Sequence, residues 1–295
     1  GIYNGIGVAL TQDAQTGVIT VVNCYEGTPA YEAGISAGDV VYKVDDAEVS
    51  GEDLANVVAK IKNNGEDSVK LTIVREGESD YLEFSVERAD VKVPTVAFEM
   101  LENQVGYIAI SSFEEVTEEQ FLEAKEALTE QGMEKLVIDL RNNLGGVLDT
   151  VCNILNEMLP EGIIVYTEGK NGERTEYRSD GTHTFDLPLV VLVNEYSASA
   201  SEIFAGAVKD YGIGTLVGTT TYGKGIVQRL FPLPDGTAVK MTIAKYYTPN
   251  GNDIHKVGIE PDVEVELDDS LRQKSVITRS EDNQLQKALE ILEGK

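Results

Sequence analysis

Basic residues are scarce in this sequence: 24 lysines and arginines stand against 51 aspartates and glutamates, a formal net charge of −27. Such a surface repels phosphate backbones and anionic membrane faces, which counts against nucleic acid as a partner. The acidity itself reads as a solvated, highly soluble surface. There are two cysteines, Cys24 and Cys152, and two histidines, His183 and His255. The cysteines lie far apart in no metal-like spacing, so neither a disulfide framework nor a zinc site is expected, and both read as small buried apolar side chains. No apolar run approaches the roughly 18 residues that span a bilayer. No signal-like segment opens the chain at Gly1. Two expectations follow: a cytoplasmic protein, or a chain without its targeting segment. The length of 295 residues suits two domains and a sizeable core.

Residues 1 to about 90 read as short strands around one helix: "GIGVAL", "GVITVVNCYEG", "DVVYKVDD", the amphipathic "SGEDLANVVAKIKN", then "SVKLTIVREGE" and "YLEFSVERA". The passage "TPAYEAGISAGDVVYKVDD" inserts a short Ala/Gly-rich helix between two of them. This ordered set resembles a PDZ domain. A Gly-rich loop offers amides to a terminal carboxylate, and the strand it opens can pair with a peptide by β-augmentation. After "RADVKVPTV" strands alternate with longer helices, the pattern of an α/β domain. The nearly all-apolar "PLVVLVN" fits a strand covered on both faces. The tail "EDNQLQKALEILEG" reads as a short terminal helix.

The stretch "NEYSASASEIFAGAVKD" places Ser197, Ser199 and Ser201 between a strand and a helix. Ser199 and Glu202 fit the S-x-x-E capping box, so locally Ser199 reads first as a helix cap. A nucleophile at the same place would gain from backbone N–H groups at the helix start, which stabilise an oxyanion. Neither His183 nor His255 sits in a pattern that supports a Ser-His-Asp triad. The other base is Lys224 in "TTTYGKGIVQRL": a lysine held by flanking glycines in an apolar site has its ammonium form disfavoured by desolvation. Gln228, four residues on, would share a strand face with Lys224 and orient the amine.

Taken together, "VVLVNEYSASASEIFAGAVKDYG", "VGTTTYGKGIVQ", "IDLRNNLGG" and "YYTPNGNDIHKVGIEPD" resemble the carboxyl-terminal processing (tail-specific) proteases over essentially the whole chain. The resemblance implies an N-terminal β-rich PDZ domain, residues 1–90, followed by a ClpP/crotonase-like α/β serine peptidase core, 91–268, and a C-terminal tail with a short helix, 269–295. It implies Ser199 as nucleophile, Lys224 as general base and Gln228 as its supporting amide. Oxyanion donors would come from Ala200 and from Gly145 or Gly146, and Asp210 would be an accessory acidic residue. Gly5, Ile6, Gly7 and Val8 would bind the carboxylate and tail, with the helix from about Asp53 to Lys62 as the groove wall.

No cofactor or metal is implied. Implied partners are protein or peptide substrates with apolar C-termini, captured and gated by the PDZ domain. Members are usually exported and carry a segment before the PDZ domain that supports dimerisation, so an extracytoplasmic location is expected, with a homodimer where that segment is present. Two other readings compete: a catalytically silent or gated peptide-binding protein, and an acyltransferase or CoA-type enzyme on a related fold.

Overall fold

The computed structural model describes residues 1–62, 67–234, 237–274 and 277–294. The chain divides into two compact units, Gly1–Pro94 and Thr95–Lys295. In the first unit β1 (Ile2–Gly5) leads into β2 (Val8–Gln12) and β3 (Ile19–Cys24). The one-turn α1 (Pro29–Glu32) follows, started by a proline whose missing N–H is no loss at a helix start. Then come β4 (Val40–Val44), β5 (Ala47–Glu48), α2 (Leu54–Lys62), β6 (Ser68–Val74), β7 (Leu82–Glu87) and β8 (Ala89–Lys92). An antiparallel sheet runs in the order β2, β3, β4, β6, β7, with β5 paired to β4 and β1 paired separately with β8. Its strands bury alternate apolar residues, Ile19, Val21, Val41, Leu71 and Ile73 among them, against Val57 and Ile61 of α2. β2 is left at an edge, beside α2.

The second unit alternates. In chain order it has β9 (Val96–Met100), β10 (Val105–Ile110), α3 (Thr117–Glu130), β11 (Lys135–Asp139), α4 (Leu148–Asn156), β12 (Gly162–Gly169), β13 (Arg174–Ser179), β14 (Leu189–Val193) and α5 (Ala200–Tyr211). It continues with β15 (Thr215–Gly218), β16 (Ile226–Pro232), β17 (Ala238–Tyr247), β18 (Val263–Glu264) and α6 (Asn283–Leu292). The main sheet has the order β18, β15, β14, β11, β10, β9, parallel except for β9. The five residues of β14 are all buried because its side chains serve two cores in alternation. Leu189, Val191 and Val193 face a core shared with α3, α4 and α5, while Val190 and Leu192 face one shared with α6. That two-sided burial is why the run is apolar without a period of two. A second, antiparallel sheet has the order β13, β12, β17, β16.

No helix among the described residues is long and apolar enough to cross a membrane. Cys24 and Cys152 are free thiols, and burial pushes the Cys152 thiol up to about 12.

Candidate active site

Three neighbouring parallel strands, β11, β14 and β15, end at the same edge of the main sheet, and the loop after each supplies one part of the site. In an α/β sheet this carboxyl edge is where ligands bind. The loop after β11 carries Asn142 to Gly146, the turn after β14 carries Ser197 to Ala200, and the segment after β15 carries Thr221 to Gly225.

The three serines have different surroundings. Ser197 and Ser201 are fully buried, and their hydroxyls donate to Leu140 O (2.8 Å) and Asn143 O (2.9 Å), tying the turn to the loop after β11. Ala198 N adds a bond to Asn143 O (3.0 Å), and Asn194 and Asn142 are joined by two more. Ser199, between them, is half-buried and has φ 57°, ψ −111°. An ordinary helix cap is extended. A non-glycine residue held at such a φ/ψ stores strain of about 1–3 kcal/mol, a feature that clusters at active sites and of strand-to-helix nucleophile turns.

Glu202 explains how the strain is held. Its carboxylate is fully buried and accepts from four donors: Ser199 N (2.8 Å) and Lys224 N (2.8 Å) on Oε2, Gly223 N (2.6 Å) and Thr221 Oγ1 (2.7 Å) on Oε1. Sequence reading found the contact to Ser199 as half of a capping box. The three contacts from Thr221, Gly223 and Lys224 were out of its reach, because they come from residues about twenty positions away. Glu202 is therefore a clamp that fixes the serine turn against the lysine turn. Thr221 Oγ1 also accepts from Ile259 N (2.7 Å), and Lys256 N donates to Gly223 O (2.8 Å), so the segment "DIHKVGI" backs the lysine turn.

Gly145 has φ 101°, and a Cβ on it would lie 2.6 Å from Ala198 O and 2.9 Å from Ala200 N. The loop thus reaches the first amide of α5 only because that residue has no side chain. The two candidate glycines separate here. The N–H of Gly145 donates to Asn143 Oδ1 (2.8 Å), whereas Gly146 packs on the Phe113 backbone.

Lys224 is half-buried and Gln228 exposed. No hydrogen bond joins the side chains of Ser199, Lys224 and Gln228 among the described residues. The shared strand face expected for Lys224 and Gln228 is absent: β16 starts only at Ile226, and its pairing with β17 shifts register between Val227 and Gln228. That irregularity breaks the alternation on which the expectation rested.

Asp210 is not brought to the site. It lies at the opposite end of α5, roughly 16 Å along the helix, where its carboxylate accepts from Asn250 N (2.8 Å). His183 is exposed near Glu157 (3.3 Å). The backbone of His255 packs against Gly225, its Nδ1 is buried without a partner, and it makes no hydrogen bond to Ser199. No group of three His, Cys, Asp or Glu among the described residues could hold a metal ion.

In the first unit, Ile6 and Gly7 link β1, which ends at Gly5, to β2, which starts at Val8. Gly7 has φ 88° and lies so close to the Thr28 side chain that a Cβ would collide with it. Bonds from Ala30 N to Ile6 O (2.9 Å) and from Tyr25 N to Gly7 O (3.0 Å) fix the turn. Between β2 and α2 lies a small cavity of about 50 Å³ lined by Ile6, Val8, Leu10, Val58 and Ile61 among others. It is apolar, opens beside an edge strand, and suits a single small apolar side chain.

A strained, half-buried serine at a helix start, clamped by a buried carboxylate to a glycine-flanked lysine, is an arrangement that suits nucleophilic catalysis. Comparison with known proteins agrees. Residues 104–265 match Peptidase family S41, and residues 20–75 match the PDZ domain. The chain is 37% identical over 298 residues to the carboxyl-terminal-processing protease of Synechocystis sp., covering 100% of this chain and 69% of that protein. It is 38% identical to the carboxy-terminal processing protease CtpB of Bacillus subtilis, over 90% of this chain and 56% of the relative. Among solved structures, the photosystem II D1 C-terminal processing protease superposes with a TM-score of 0.55 at 33% identity, over 90% of this chain and 72% of that one. The chain belongs to peptidase family S41, with a PDZ domain before the core, and is a serine-type peptidase of the carboxyl-terminal processing class. It spans between half and about two-thirds of the length of these two curated relatives.

Proposed function

We propose that this chain cleaves protein substrates by acyl transfer through a Ser199–Lys224 dyad. Neutral Lys224 takes the proton of Ser199, the hydroxyl oxygen attacks a peptide carbonyl, and the amine of the departing segment leaves with that proton. Water then attacks the acyl-enzyme and releases the new carboxyl terminus with Ser199 restored. The oxyanion is held by the amide of Ala200 at the start of α5 and by one from the Gly145–Gly146 loop. With the Gly145 N–H engaged by Asn143, Gly146 is the donor favoured. Gln228 supports the amine once substrate aligns the site, and Asp210 takes no direct part.

The observation that carries this reading is the Ser199 backbone, held at φ 57° by a buried carboxylate that also holds the lysine turn. A fluorophosphonate probe, which phosphonylates activated serines with loss of fluoride, tests it. Mass spectrometry should find one adduct, on the peptide that contains Ser199, and none in Ser199→Ala. An adduct elsewhere, or none in the wild type, would overturn the assignment.

The PDZ unit captures the free C-terminal tail of the substrate at Gly5 to Val8, with small apolar terminal residues preferred, and tail capture gates cleavage. The gated resting state is favoured by the missing hydrogen bonds among Ser199, Lys224 and Gln228. Adding a tail peptide in trans should therefore raise the rate at which the probe phosphonylates Ser199; no change would mean that the site needs no gate. Its likeness to carboxyl-terminal processing proteases supports an extracytoplasmic place of work.

A further inference from the structure

β17 pairs with β12 only from Ala244 to Tyr247. Beyond that point β16 and β17 continue as a two-stranded arm, with Arg229 opposite Met241, Leu230 opposite Lys240 and Phe231 opposite Val239. Directly paired residues share a face and neighbours alternate, so Phe231, Val239 and Met241 lie on one side of the arm with Arg229. All three apolar residues are 40–52% exposed. A lone two-stranded ribbon is marginal in water, and a contiguous exposed apolar face of this kind marks an interaction site. β16 is also the edge of its sheet, with backbone groups open to another strand.

Charge and position select the occupant. Residues 219–258 carry five basic and two acidic residues in a chain of net charge −27. Arg229 and Lys240, on opposite faces of the arm, form no ion pair among the described residues. Two such arms would repel each other, which disfavours a second copy docked arm to arm. Arg229 and Lys240 attract an acidic segment locally. β16 begins two residues after Lys224, so a strand laid along its edge continues into the proposed site.

We propose that the β16–β17 arm is a docking strand for an extended segment of the substrate that alternates apolar and acidic residues, added to the free edge of β16 and led by it toward Ser199. The proposal rests on the peptidase reading for its purpose, but its test does not need turnover. In Ser199→Ala, the binding of a fluorescein-labelled peptide of about fourteen residues, valine alternating with glutamate and amidated so that it offers no terminal carboxylate, is followed by fluorescence anisotropy. The same peptide with lysine for glutamate should bind at least roughly tenfold more weakly. Phe231→Ser with Met241→Ser, checked for its fold by circular dichroism, should weaken the glutamate peptide by a similar factor. Equal binding of the two peptides overturns the proposal even if the double variant fails to fold. So does sedimentation showing that the wild type is a dimer and the double variant a monomer, since a second copy would then cover the arm. Binding with these preferences by a wild type that cleaves no protein would overturn the peptidase reading and leave the docking strand standing.

Discussion

Glu202 sits at the junction on which the chemistry depends. Replacing it by glutamine keeps the shape but turns one acceptor oxygen into a donor, which sets it against either the Ser199 and Lys224 amides or the Gly223 amide and Thr221 hydroxyl. A buried donor left without an acceptor costs about 1–3 kcal/mol. Glu202→Gln should therefore lower kcat by roughly tenfold or more, with a fall in Tm, checked by steady-state kinetics beside thermal melts. A kcat that stays at the wild-type level would mean that the clamp is only structural. Gly145→Ala should also damage the site, because a methyl group there meets Ala198 O and the first amide of α5. Strain at such a position costs about 1–3 kcal/mol, and the loss should fall on kcat more than on KM. At this scale the serine-rich strand-to-helix turn and the glycine-flanked Lys224 were legible locally, with Ser199 read first as a cap, and their pairing as a dyad came only from the family resemblance. The Glu202 clamp was legible only at its local end, since Thr221, Gly223 and Lys224 reach it through the fold and not through sequence spacing.

Among the elements, α6 is secured to the site-bearing sheet by one guanidinium. Arg141, two residues after β11, pairs with Asp139 (2.6 Å) and with Asp282 (2.7 Å), the residue that caps α6 through Leu285 N (3.0 Å). Gln284 also accepts from Arg141 (2.9 Å). Burial alone would raise the Asp282 carboxyl, but Arg141 and the backbone donors hold it below the usual carboxylate range. A carboxyl with a lowered folded pKa adds stability above its unfolded value of about 4 and loses that contribution as pH falls through the folded value. Asp282→Asn should thus melt several degrees below the wild type near pH 7, and the gap should narrow as pH falls below about 4 and through the lowered folded value. A gap that persists in acid would contradict the ion-pair account. The two-sided burial of β14 was readable as an apolar run. The β16–β17 arm was not, because "TLVGTTTYGKGIVQRLFPL" carries one continuous strand-like texture although β15 ends at Gly218 and β16 starts at Ile226. A register shift after Val227 leaves no periodic trace in sequence either.

For the whole molecule, the account joins a tail-binding unit to a cleaving unit. A peptide with a free apolar C-terminus should bind the PDZ unit about tenfold more tightly than its amide, measured by calorimetry, if the amides of Gly5 to Val8 hold the terminal carboxylate as proposed. Equal affinities would remove that role from the turn. The central claim is that Ser199 and Lys224 cleave protein chains together. The most direct test is cleavage of an unfolded protein with an apolar C-terminal tail by the wild type, Ser199→Ala and Lys224→Ala, from about pH 6 to 10. The account predicts products from the wild type alone, at a rate that rises with pH as a neutral amine base requires and that chelators leave unchanged. Full cleavage by either variant would contradict it.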